Sequence, residues 1–107
     1  MPQEILSIAY IRPNEGHEQE TVDLLLQLFV VLTRKNYSRD RLFLDAIDPG
    51  RYVGLRFWTS EEARNAAHED PDVHKFWMRL GQVCQVEYVI ERLQEVTSGS
   101  KSSAAGD

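Results

Sequence analysis

Trp58-Thr59-Ser60-Glu61-Glu62-Ala63, followed by His68, Asp70-Pro71-Asp72-Val73 and Phe76-Trp77, is the stretch that decides the architecture of this chain. It reads as the end of a strand, a capped short helix, a proline restart and an aromatic-rich second helix. Thr59 and Glu62 have capping-box spacing for the first helix, which ends near His68. Asp70 caps the next helix and Pro71 opens it, since the donor that proline lacks has no partner in a first turn. That helix is expected to end near Gly81.

Upstream, Glu4 to Arg12 reads as a strand with Leu6, Ile8 and Tyr10 on one face and Ile5, Ala9 and Ile11 on the other. Both faces are apolar, as in a central strand covered on two sides. Pro13-Asn14-Glu15-Gly16 is a turn. A helix follows from about His17 to Lys35, acidic at its start and basic at its end, as the helix dipole favours. Between Leu24 and Leu32 only Gln27 is polar, so this helix is apolar nearly all round. A sheet covers one side; a second helix, a partner subunit or a ligand must cover the rest.

Arg41 to Asp48 and Tyr52 to Trp58 read as two strands joined by a turn at Asp48-Pro49-Gly50-Arg51. Val83 to Val96 is a long last strand in which Cys84, Val86, Tyr88 and Ile90 share a face. Past Ile90 the alternation changes phase. A strand of that length extends about 46 Å, and the phase change predicts a bulge or a second partner sheet. The order is strand, helix, strand, strand, split helix, strand: an α+β, ferredoxin-like domain with helices on one face of an antiparallel sheet. It spans 1–96. The Ser/Gly/Ala-rich segment 97–107 reads as a disordered tail.

With 107 residues and net charge −5, the chain is one modest domain with no basic run, so nucleic acid is not an expected partner. No apolar stretch is long enough to span a bilayer, and the first residues do not form a secretory signal. The expectation is a soluble cytoplasmic protein without membrane contact. The single cysteine, Cys84, allows no internal disulfide. His17, His68 and His74 do not have the spacing of a zinc site, and neither metal nor other cofactor is implied.

Pairing Asp48 with Arg51 at the hairpin sets Ile47 against Tyr52, Asp45 against Gly54 and Phe43 against Arg56. One face then carries Phe43, Asp45, Ile47, Tyr52, Gly54, Arg56 and Trp58; the other is wholly apolar. The mixed face is composed like a small-molecule pocket. Alternatively, Asp45 and Arg56 form a structural ion pair.

The strand ending at Trp58, the cap at Thr59 to Ala63, Pro71, Phe76, the Tyr10-to-Gly16 segment, Asp48-Pro49 and Leu93-Gln94-Glu95-Val96 resemble the antibiotic biosynthesis monooxygenase family, over roughly Glu4 to Val96. The resemblance implies a homodimeric α+β barrel, with two sheets face to face and each last strand reaching over the other subunit. It also implies a pocket for a small hydrophobic or aromatic ligand between sheet and helices. Members include cofactor-independent monooxygenases that oxidise phenol- or quinol-like aromatics with dioxygen; others degrade haem or have no known activity. Trp58 looks like the family's pocket Trp. Gly54 and Ala9 stand where its pocket Asn is expected, and Ala67 stands where its His is expected, with His68 next.

Candidate catalytic residues are therefore Trp58, His68, His74 and Arg56, with Tyr10, Phe29, Phe43, Asp45, Gly54, Trp77 and Tyr88 as pocket walls. Each has a plainer reading. Trp58 stacks a flat substrate or packs a strand end. His68 is a general base or a solvated helix end. His74, three residues from Trp77, turns inward to take a proton or bind haem iron, or faces solvent. Tyr10, Phe29 and Tyr88 line a pocket or fill a core. The functional expectation is a cofactor-independent aromatic monooxygenase; the alternatives are a non-catalytic dimeric binding protein and a haem-binding protein.

Overall fold

The computed structural model describes residues 4–96. The tail expected over 97–107 lies outside the described residues. The element order is β1 (Ile5–Pro13), α1 (Glu18–Arg34), β2 (Ser38–Leu44), β3 (Tyr52–Trp58), α2 (Glu61–His68), α3 (Pro71–Val83) and β4 (Cys84–Leu93). The strands form one antiparallel sheet in the order β2-β3-β1-β4, and the arrangement is the expected ferredoxin-like α+β one.

Local chemistry sets the helix ends. Gly16, at φ 82°, turns the chain out of β1. At the end of α1, Asn36 takes the left-handed conformation with φ 60°. Its N–H donates to the Thr33 carbonyl and that of Tyr37 to the Leu32 carbonyl, so two last-turn carbonyls are satisfied before β2 begins. Asp70 caps α3 through the Asp72 amide, with Pro71 opening the helix. For α2 the capping residue is Ser60, whose Oγ accepts from the Ala63 amide at 3.0 Å. Thr59, expected in that role, instead donates to the Asn36 and Tyr37 carbonyls and ties the α1–β2 corner to β3.

The core lies between the helices and one face of the sheet. Leu25, Leu28 and Leu32 of α1 meet Ile5, Ile11 and Trp58 of the sheet and Val73 and Leu80 of α3. Leu26 and Val30, on the far side of α1, remain exposed. The other sheet face, with Leu6, Ile8 and Tyr10 of β1 and Val53, Leu55 and Phe57 of β3, carries no helix among the described residues.

Two registers depart from expectation. In the β2–β3 hairpin, Leu44 pairs Tyr52, Leu42 pairs Gly54 and Asp40 pairs Arg56. This differs by an odd number of residues from the register expected at Pro49-Gly50, so the residues of β2 exchange faces. The cause is the connection. The turn at Asp48–Arg51 forms, with the Arg51 amide donating to the Asp48 carbonyl, but β2 stops at Leu44 rather than Asp48. Asp45 instead organises the loop: its carboxylate accepts from the Ile47 and Asp48 amides and from Arg51. In β4 the register against β1 shifts twice, between Leu6 and Ile8 and between Tyr10 and Ile11. The first shift matches the expected phase change. The second separates Cys84 and Val86 from Tyr88 and Ile90, which therefore do not share one face.

Candidate active site between sheet and helices

A cavity of about 660 Å³ opens between the helix-covered sheet face and the three helices. Its floor is Ser7, Ala9 and Ile11 of β1 with Gly54, Arg56 and Trp58 of β3. Phe29 of α1, Arg64 and His68 of α2 and Trp77 of α3 line it, and β4 supplies Cys84, Val86, Val89 and Glu91. Its volume falls within the usual range for small-molecule sites. Ala9 and Gly54 are direct cross-strand partners, so the two smallest residues of the floor lie side by side and leave the space.

The aromatic wall is ordered. The His68 ring is exposed and touches both indoles, with centroids 5.9 Å from Trp58 and 5.1 Å from Trp77. Its Nδ1 is 2.7 Å from the Arg64 carbonyl. A carbonyl only accepts, so Nδ1 carries the hydrogen and neutral His68 presents Nε2 as its proton-accepting nitrogen. Trp58 is 3% exposed. Its Nε1–H donates to Ser7 Oγ at 3.0 Å, and Ser7 Oγ–H donates to the Glu91 carbonyl at 2.7 Å. That carbonyl sits at the first register shift of β4, where the ladder is interrupted.

The polar wall is Arg56 with Asp40. Arg56 Nε–H donates to Asp40 Oδ2 at 2.5 Å, and Ser38 Oγ–H donates to Oδ1 at 2.6 Å. The Arg56 guanidinium carbon is 5.4 Å from the Trp58 ring centroid, in cation–π range. Burial pushes the Cys84 thiol pKa up, and its Sγ–H is directed to the Leu80 carbonyl. Cys84 is thereby a packed neutral wall residue.

Of the expected residues, Trp58, His68, Arg56, Phe29, Gly54 and Trp77 line the same cavity. Five others do not. Phe43 pairs Val53 on the opposite sheet face, a consequence of the odd register shift. Asp45 lies in the β2–β3 connection, held by Arg51, so the ion pair expected between Asp45 and Arg56 is replaced by two separate pairs. Tyr10 and Tyr88 are cross-strand partners on the helix-free face, in edge contact at 6.1 Å, with Arg51 over the Tyr10 ring. His74 is exposed on α3, edge-on to Trp77 and outside the cavity. An axial haem ligand from His74 in this cavity is thereby removed, and His68 is the one histidine lining it among the described residues. No cluster of three metal-ligating side chains occurs among the described residues. Nor, among them, is any helix long and apolar enough to cross a membrane.

Asp40, Ser7 and Arg64 are cavity residues not identified from the sequence. Ser7 was legible there: it alternates with Ile5, Ala9 and Ile11 on one face of β1. Asp40 preceded the expected start of its strand.

A four-stranded antiparallel sheet with three helices on one face defines the class as ferredoxin-like α+β. The chain belongs to the antibiotic biosynthesis monooxygenase family, whose model matches residues 5–79. The fold is similar to SnoaB, a cofactor-independent oxygenase from Streptomyces nogalater, with TM-score 0.73, 16% identity and 90% and 99% of the two chains covered. It is similar to a putative antibiotic biosynthesis monooxygenase from Bacteroides thetaiotaomicron, with TM-score 0.76, 14% identity and 94% and 97% covered. A putative antibiotic biosynthesis monooxygenase from Chloroflexus aurantiacus matches with TM-score 0.73, 15% identity and 89% and 95% covered. No curated protein sequence is a significant match.

Proposed function

We propose that this protein is a cofactor-independent monooxygenase that oxidises a small phenol- or quinol-like aromatic with dioxygen. The observation that carries this reading is the placement of His68 against Trp58 and Trp77 on the wall of an apolar cavity that also holds Arg56. Family membership and the fold shared with SnoaB support it.

A flat substrate stacks against the indoles. Nε2 of His68 takes the acidic proton of its phenolic form, and Arg56 stabilises the resulting anion. For an anthrone-like substrate, the electron-rich ring carbon then bonds to dioxygen and a hydroperoxide forms. Loss of water leaves a carbonyl. His68 returns its proton to complete the hydroperoxide, so one oxygen atom enters the product and the other departs as water with that proton and the remaining hydrogen of the ring carbon.

An oxygen electrode with the purified protein and a panel of anthrone- and hydroquinone-like compounds tests this reading. Protein-dependent uptake is expected for at least one class; background uptake across the panel overturns it. One observation favours a second reading, non-catalytic binding: Ala9 and Gly54 give the cavity floor no side-chain amide. That reading predicts a thermal shift with an aromatic ligand that is not consumed.

The reading includes a homodimer. Its support is the helix-free sheet face, where exposed Phe43 and Tyr88 lie with Leu6, Ile8, Val53, Leu55 and Phe57. A surface of this composition calls for a partner. Light scattering at micromolar concentration checks it, with a monomer as the contrary result.

A further inference from the structure

We infer that the cavity is built for an aromatic acid, whose carboxylate is taken by the outer edge of Arg56. This rests on the reading that the cavity is the ligand site, and adds the chemical class of the ligand.

The guanidinium of Arg56 is held from one side only. Asp40, its cross-strand partner, accepts from Nε–H, and the Asp40 side chain is 1% exposed. The second oxygen of Asp40 is occupied by Ser38. Asp40 also borders the cavity, but each of its oxygens already accepts a donor, and it serves to position the arginine. The two terminal amino groups of Arg56 have no acceptor among the described residues, although the side chain is only 19% exposed. No buried side-chain nitrogen or oxygen lacks a partner among those residues, so these amino groups are accessible. Arg56 lines the cavity, and Trp58 lies against its guanidinium.

A rigid fork of N–H donors with one edge tied back and the other open matches a planar carboxylate, which accepts two parallel hydrogen bonds. The walls are mainly apolar, and with Asp40 balancing the charge of Arg56 the preference rests on the directed N–H donors of the open edge. Glu91, the other acid on the lining, is largely exposed and engaged by Arg64, so it adds little repulsion near Arg56. A neutral quinol offers these donors only a hydroxyl oxygen until it loses its proton. An acid satisfies both, with its rings against the apolar wall and its carboxylate on Arg56.

The test is equilibrium binding, followed by tryptophan fluorescence, of 3-hydroxy-2-naphthoic acid and of its neutral carboxamide. Both have the same rings and hydroxyl. The wild type is expected to bind the acid at least about tenfold more tightly. In Arg56→Gln that preference falls to about twofold or less, because the acid alone loses a charge-assisted contact. Asp40→Asn/Arg56→Gln, which leaves no buried carboxylate unpaired, gives the same result should the single variant fold poorly. Equal affinity for acid and amide in the wild type overturns the proposal while leaving the cavity as a neutral aromatic site. An acid preference that survives both variants overturns the assignment to Arg56. Binding of neither compound overturns this inference, and oxygen uptake with neutral quinols then reports separately on the oxygenase reading.

Discussion

Asp40 and Arg56 face one another directly across the β2–β3 ladder, with Asp40 Oδ2 2.5 Å from Arg56 Nε. The pair places a nearly sealed carboxylate behind a cation that borders the cavity. Removing either partner strands the other in a poorly solvated position. Asp40→Ala is expected to destabilise the fold by roughly 2–4 kcal/mol, since an unpaired buried charge costs more than the intact pair gains. Asp40→Leu/Arg56→Leu should recover much of that loss. Urea midpoints of the three proteins check both statements.

His68 lines the cavity and His74 does not. His68→Ala is expected to lower oxygen-uptake turnover by roughly 10²–10⁴-fold, the usual contribution of a positioned proton acceptor. His74→Ala should leave turnover unchanged. Equal effects of the two substitutions contradict the assignment.

Gly54 keeps the cavity floor open. A Cβ there meets only Ile11 Cδ1, at 3.8 Å, which is ordinary contact. Gly54→Ala should therefore fold normally and gain about 0.5 kcal/mol from the stiffer unfolded chain. Gly54→Leu projects into the cavity beside Ala9 and should abolish ligand-induced thermal shift while circular dichroism remains native.

Acid stability is tied to Asp70 and Asp45. Hydrogen bonds from Lys35 and then Tyr37 hold the Asp70 carboxyl at about 2, and Arg51 with the Ile47 and Asp48 amides holds Asp45 at about 2. Both lie below the ordinary carboxyl value of 3.8. As pH falls, the unfolded chain takes up these protons before the folded one does. Their contribution is complete above that ordinary value and drains as pH falls towards 2. Asp70→Asn should flatten the loss of stability across that window, measured as urea midpoints at successive pH values, and should also be less stable at neutral pH through the lost Lys35 contacts.

The helix-free sheet face gives a direct test of assembly. Leu55→Asp puts a charge at its centre, opposite Ile8, without touching the cavity. It is expected to yield a monomer by light scattering. A dimer unchanged by this substitution places the interface elsewhere.

The element order, the cap at Asp70 with Pro71 and the turn at Asp48–Arg51 were determined by the sequence, because each depends on neighbours a few residues away. Trp58, Arg56 and Gly54 were legible as one face because alternation within a strand is local. Which β2 residues join that face was not. It depends on where β2 stops, and the hydrogen bonds Asp45 makes within the connection and with Arg51 end the strand early. An odd change of register then exchanges Asp45 for Asp40 and moves Phe43 to the other side of the sheet. His68 and His74 are separated in the same way. Both lie on short helices whose sequences leave their rotation open, and packing of α2 and α3 on the sheet turns His68 against the two indoles and leaves His74 outside. Residue types and local periodicity thus named the parts. Long-range pairing and packing decided which of them meet.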